Sequence, residues 1–182
     1  MTTSTTEIPG YLSGTWAIDP VHSTVTFTVR HLGVSKVRGR FDTFDGTIVT
    51  GETVLGSSVT ATIQATGVNT NNEQRDGHIR SADFLDAEQH PVLTFTSTGI
   101  RADGGDFLID GDLTLHGVTK PVTLTAEIGG FGDGATPDSK VVGVSAKTEI
   151  SRAAFEVGAT IPGAVVSDKI TIDLDIEAVL QP

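Results

Sequence analysis

Along most of the chain, apolar and polar side chains alternate with a period of two. In residues 21–30, Val21, Val25, Phe27 and Val29 share one parity, while Thr24, Thr26 and Thr28 take the other. Val59, Ala61, Ile63 and Ala65 alternate with Thr60, Thr62, Gln64 and Thr66. Phe107, Ile109, Leu113 and Leu115 alternate with Asp110, Asp112 and Thr114, and residues 118–128 continue in the same way. Near the end, Ile170, Ile172, Leu174 and Ile176 oppose Thr171, Asp173, Asp175 and Glu177. A pleated strand sends successive side chains to opposite faces, so this pattern predicts antiparallel strands with one apolar and one wet face. Adding residues 15–18, 43–50, 92–100 and 140–150 gives eight or nine strands.

The links between these runs read as turns: Asp45-Gly46, Asp103-Gly104-Gly105, and a flexible glycine-rich hairpin loop over residues 129–134. Two stretches leave the period. Residues 71–88 carry asparagine caps and a polar run that predicts one or two short helices before Pro91 restarts extended chain. Residues 151–158, opened by serine and closed by glycine, predict a helical turn. No linker divides the chain, so residues 1–12 read as a flexible tail and 13–182 as a single domain. So many strands in one domain leave a sandwich or a closed barrel.

Composition agrees with the period. Of the 182 residues, 27 are Thr, 19 Val and 13 Ile, against 11 Leu; β-branched side chains favour the pleated surface over the helix. Twelve basic against 23 acidic residues disfavour nucleic acid, whose phosphates require a basic surface. The same balance disfavours docking on anionic lipid. With no cysteine, disulfides, zinc thiolates and cysteine nucleophiles are excluded together. No apolar run approaches the ~20 residues of a membrane span, so stable membrane insertion is not expected. The opening MTTSTTEIPG lacks the basic and apolar regions of a secretory signal, and a cytoplasmic location is the expectation.

Near-matches to catalytic motifs fail on detail. Residues 51–58 (GETVLGSS) have P-loop glycine spacing without its lysine, and residues 130–134 (GFGDG) have the wrong spacing for a dinucleotide fingerprint. Asp19, His22 and Ser23 lie close together but lack oxyanion glycines. None of the five histidines belongs to a close ligand pair, so no metal ligand and no catalytic residue is assigned. The densest polar cluster is Arg75-Asp76-Gly-His78-Ile-Arg80-Ser81-Ala-Asp83-Phe84. It reads either as a lid tied down by Arg–Asp pairs or as a head-group recogniser at a cavity mouth.

Several strings together resemble one family. They are Trp16-Ala-Ile18-Asp19-Pro20-Val-His22-Ser23 with Phe27 and His31, Val37-Arg38-Gly39-Arg40-Phe41, the cluster from Arg75 to Asp86, His90-Pro91, Gly111–Pro121 (GDLTLHGVTKP), and Ile150-Ser151-Arg152 with Phe155. In order and spacing they resemble the YceI-like proteins over about residues 13–181. The chain departs at Ala154 and Glu156, where the family more often has an acidic residue before Phe and a glycine after it. The resemblance implies an all-β fold, an antiparallel lipocalin-like β-barrel of about eight strands with one or two short helices. It also implies a long apolar ligand: a polyisoprenoid, prenyl phosphate or polyprenyl quinone. A homodimer and, for many members, a periplasmic setting are implied as well.

On that basis the expected apolar lining is Phe27, Phe41, Phe44, Phe84 and Phe95, with Val29, Ile63 and Leu113. Leu115, Leu124, Val144, Ile172 and Leu174 complete it. The polar end, carried over with the motifs, is Arg75, His78, Arg80 and Lys120. No cofactor is expected beyond a bound isoprenoid or quinone-like lipid. Two other readings stay open: an enzyme acting on a lipid-like substrate through His22 or His78, and a filled barrel serving as an interaction protein.

Overall fold

A computed structural model describes residues 8–182, so only residues 8–12 of the expected tail are described. These are tied to the barrel: Tyr11 donates its hydroxyl to the Gly51 carbonyl at 2.9 Å and packs edge-on against Phe131. The described residues form eleven antiparallel strands: β1 (Gly14–Ile18), β2 (Thr24–His31), β3 (Ser35–Phe41), β4 (Phe44–Thr50), β5 (Ser58–Gln64) and β6 (Val68–Asn69). After the helix α1 (Glu73–Arg80) follow β7 (Val92–Asp103), β8 (Asp106–Leu115), β9 (Val118–Asp133), β10 (Lys140–Ser151) and β11 (Lys169–Leu180).

Eight of them, β1-β4-β5-β7-β8-β9-β10-β11, close into a barrel because β11 pairs back onto β1 from Trp16↔Leu180 to Ile18↔Ala178. The rest of β11 pairs with β2 instead, through Thr171↔Thr28 to Asp175↔Thr24. Strands β1 and β2 thus lie end to end along β11, and β2 carries β3 and β6 as the wall of one barrel end. The opposite end is plugged. There Trp16, Val142 and Ala178 are buried, Trp16 meets Phe131 edge-to-face at 5.4 Å, and the Trp16 indole N–H donates to Thr50 Oγ1 at 2.9 Å.

Three local expectations are corrected. Residues 129–134 are not a flexible loop: β9 runs on to Asp133, since Phe131 anchors it in the plug, and the turn falls after it. Asp45-Gly46 is not a turn but part of β4, where glycine leaves room for Ile18, whose Cδ1 would lie 2.6 Å from an added Cβ. Strands β3 and β6 were not expected. In β3 the outer face is Lys36, Arg38 and Arg40 rather than threonine, which hides the alternation.

The helical expectations hold in outline. Asn72 caps α1, its side chain accepting from the Arg75 N–H at 2.9 Å. A single 3-10 turn, Ala153–Phe155, follows β10. Glu156 ends it with φ +58°, the left-handed region where a glycine is unstrained.

Candidate functional site: an apolar cavity with a basic mouth

Around the cavity, inward parity is odd on β2, β3, β5, β8 and on β7 before its register shift, and even on β10, β11 and on β9 as far as Ile128. These positions surround a cavity of about 460 Å³. All thirteen residues expected as apolar lining reach its wall, Phe84 from the turn after α1 and the others from strands. The space exists partly because of two glycines. The Phe27 ring lies over Gly39 and the Phe95 ring over Gly111, so that neither ring stands out into the barrel.

At the unplugged end, α1, the turns that follow it, the β2–β3 turn and residues 151–168 form the rim. Arg75 and His78 line the cavity there, as expected. Arg80 and Lys120 are not brought to it. Arg80 turns to Glu73 at 2.7 Å beside a separate polar depression with Asp42 and Asn69, and Lys120 is exposed near the start of β9, opposite Leu113, and does not line the cavity.

The lid is held by a threonine rather than by Arg–Asp pairs. Buried Asp76 accepts from the Thr70 N–H at 2.8 Å and from its hydroxyl at 2.5 Å. Arg75 donates through Nε to Thr70 Oγ1 at 2.7 Å and through Nη2 to the Thr70 carbonyl at 2.8 Å. Its Nη1 donates to no described protein group. His78 Nε2 pairs with Asp83 at 2.9 Å, and its ring packs edge-on against Phe84.

Among the basic residues of the wall, His31 and Arg152 were missed from sequence. Arg152 is only 5% exposed, and its guanidinium donates to five carbonyls, those of Val157, Gly158, Ile161, Val166 and Ser167. Those contacts shape the loop that forms one side of the rim. The signal was present: Arg152 is the one cation in residues 151–167. Asp168 beneath it is held below the usual carboxylate range, first by the Ala153 N–H and the Ser151 hydroxyl, then by the charge of Arg152.

The other polar clusters lie outside the cavity. His22 pairs with Asp19 at 2.7 Å in the β1–β2 turn, while the Ser23 hydroxyl is taken up by the Glu177 backbone, so the three do not form a relay. Asp86, His90 and His116 place their ligand-type atoms within 4.8 Å of one another. The two rings stack edge-to-face at 5.0 Å, and His116 Nδ1 meets the Phe155 carbonyl at 3.2 Å.

A closed antiparallel barrel, plugged at one end and hollow toward a rim that carries Arg75 and Arg152, is the architecture of lipocalin-like ligand-binding barrels. The chain belongs to the YceI-like family, whose YceI-like domain matches residues 16–178. It is 42% identical to protein YceI of Escherichia coli over 161 residues, covering 88% of this chain and 83% of that one. The Campylobacter jejuni YCEI crystal structure superposes with a TM-score of 0.76 at 30% identity, covering 84% of this chain and 90% of that one. A polyisoprenoid binding domain from Saccharophagus degradans has the same fold, with a TM-score of 0.68 at 20% identity over 91% of this chain and 98% of that one. Among the described residues no helix is long and apolar enough to cross a membrane.

Proposed function

We propose that the barrel encloses the tail of a long apolar amphiphile, a polyisoprenoid such as a prenyl phosphate or polyprenyl quinone, and carries, stores or sequesters it. The observation that carries this reading is the cavity itself. At about 460 Å³ it exceeds the ~300 Å³ where ordinary ligand pockets begin, which weighs against a filled barrel. Its strand-borne wall is almost wholly hydrocarbon, so a prenyl tail loses no hydrogen bond on entry. Burying a few hundred Å² of tail at about 25 cal/mol per Å² is worth on the order of 10 kcal/mol gross. Association and ordering remove several kcal/mol, which leaves micromolar or tighter binding within reach.

The head group falls at the rim. Arg152 contributes charge there but has no N–H left to offer, whereas Arg75 keeps Nη1 free, so Arg75 is the residue that would bond a phosphate or quinone oxygen. The Saccharophagus degradans domain's name supports the ligand class only through a shared fold. For this chain the class rests on the wall chemistry and on family membership.

The same geometry favours a binding protein over an enzyme. His22 lies outside the cavity, and His78 is already paired with an Asp83 that is more than half exposed. Native mass spectrometry of the protein purified from its own host tests the proposal. A bound mass that matches a prenyl lipid supports it. An empty barrel that also fails to take up prenyl quinones and prenyl phosphates overturns it.

A further inference from the structure

The negative charge of this protein is unevenly distributed. Residues 24–41, which span β2, its turn and β3, hold four of the 12 cations and no carboxylate: Arg30, Lys36, Arg38 and Arg40. Register sets Arg30 opposite Lys36, Thr28 opposite Arg38 and Thr26 opposite Arg40. Their parity is the reverse of the cavity-lining Val29, Val37 and Phe41, so all four cations share the outer face, and all four are exposed. Arg40 is paired with Asp42. Among the described residues the other three have no ion-pair partner. Like charges directly across two strands are unfavourable, so folding does not account for the Arg30–Lys36 pair.

The tip of the same hairpin is apolar. Leu32 is 56% exposed and Val34 82%, and Val165, 38% exposed, lies beside them through the Leu32 N–H bond to its carbonyl at 2.9 Å. Leu32 has φ +55° and Gly33 φ +70°. Such a turn favours Asn or Gly at the leucine position, since a bulky side chain is strained there. A polar residue would suit both the turn and the solvent better. His31, Val165 and Val166 also line the cavity, so this tip is part of its mouth. Exposure alone does not single it out: Val21 is equally bare, but it stands in a turn with the Asp19 carboxylate.

We propose that the β2–β3 hairpin docks the mouth of the barrel on an anionic phospholipid bilayer. Leu32, Val34 and Val165 enter the boundary between head groups and acyl chains. Arg30 and Lys36 follow two residues behind the tip, about 7 Å at ~3.3 Å per residue, which places them at the phosphates when an apolar edge is sunk about 5–10 Å. The contact is peripheral and reversible. It turns the cavity toward the acyl region, so an apolar molecule can pass between bilayer and barrel without crossing water. The summed charge argues against such docking, but the surface presented is the hairpin rather than the sum.

The test is co-sedimentation of the full chain with vesicles of phosphatidylcholine alone, or with about one third phosphatidylglycerol. These vesicles hold no isoprenoid, so the result is independent of what the cavity binds. Binding to the anionic vesicles that weakens with added salt is expected. The variant L32N/V34T keeps or relaxes the turn and should lose binding. R30Q/K36Q should weaken it about fivefold per cation removed. Absence of wild-type binding, or equal binding by L32N/V34T, overturns the proposal. So does a dimer, seen by analytical ultracentrifugation, that L32N/V34T dissociates, because the tip would then be a contact between copies.

Discussion

Phe27 and Gly39 face each other directly across β2 and β3, and the phenylalanine ring occupies the space that a Cβ on residue 39 would need. The missing side chain therefore keeps an aromatic ring against the wall. Without it the ring would project into the space proposed for the ligand tail. Gly39→Ala should push Phe27 inward and shrink the cavity. Overpacking of this kind destabilises by about 1–3 kcal/mol. Uptake of a prenyl quinone should fall while the far-ultraviolet circular dichroism stays that of a β-barrel. Unchanged uptake would separate the cavity from the binding function.

Arg75 lines the cavity with its Nε and one Nη2 hydrogen committed to Thr70, and its Nη1 donates to no described protein group. Hydrogen bonds to charged groups are worth about 1.5–3 kcal/mol, so Arg75→Gln should weaken a prenyl phosphate by about tenfold or more. A quinone of the same chain length, with no charge to lose, should change much less. Calorimetric titration of the two ligands against wild type and variant reads the difference. Equal losses would mean that Arg75 acts by holding the lid.

Arg152 bonds five carbonyls of one loop from a nearly buried position. Arg152→Met preserves length and apolar stem but leaves several buried carbonyls without donors, at about 1–3 kcal/mol each. A loss of at least about 3 kcal/mol is expected in urea unfolding, seen as a lower midpoint with an unchanged slope. Hydrogen exchange should rise first in residues 156–167, the loop that the guanidinium gathers.

Asp110 sits between Arg101, which donates to both carboxylate oxygens at 2.7 and 2.8 Å, and the Thr123 hydroxyl at 2.7 Å. The Arg101 bonds, then that of Thr123, pull its pKa down to about 2 from the ordinary 3.8. A folded-state value below the unfolded one adds stability above pH 4, and this is lost as pH falls through about 2. Carbon-13 titration of the carboxyl should show that midpoint, and Arg101→Met should move it up toward 3.8. The His22–Asp19 pair runs the other way for the histidine. The Asp19 bond raises His22 above 6.5, so its contribution is present below that pH and fades as pH rises through the folded value.

Period-two alternation by itself determined that the chain forms antiparallel strands with one hydrocarbon face, in a sandwich or a barrel, because side-chain direction along a strand is a local property. For the same reason the expected lining residues on the alternating strands, from Phe27 to Leu174, reach the cavity wall, while Phe84 reaches it from the turn after α1. Alternation records which face a side chain takes but not how far away the opposite wall stands, so only the closed tertiary structure decided that the barrel is hollow. The polar end was half legible. Arg75 and His78 share one face of α1, whereas Arg80 lies on another, and Lys120 and Arg152 depend on where β9 begins and how a loop folds back. Net charge was read correctly as a sum. Its local distribution depends on strands β2 and β3 pairing so that Arg30, Lys36 and Arg38 converge on one outer face of the hairpin, a relation set by register and not by composition.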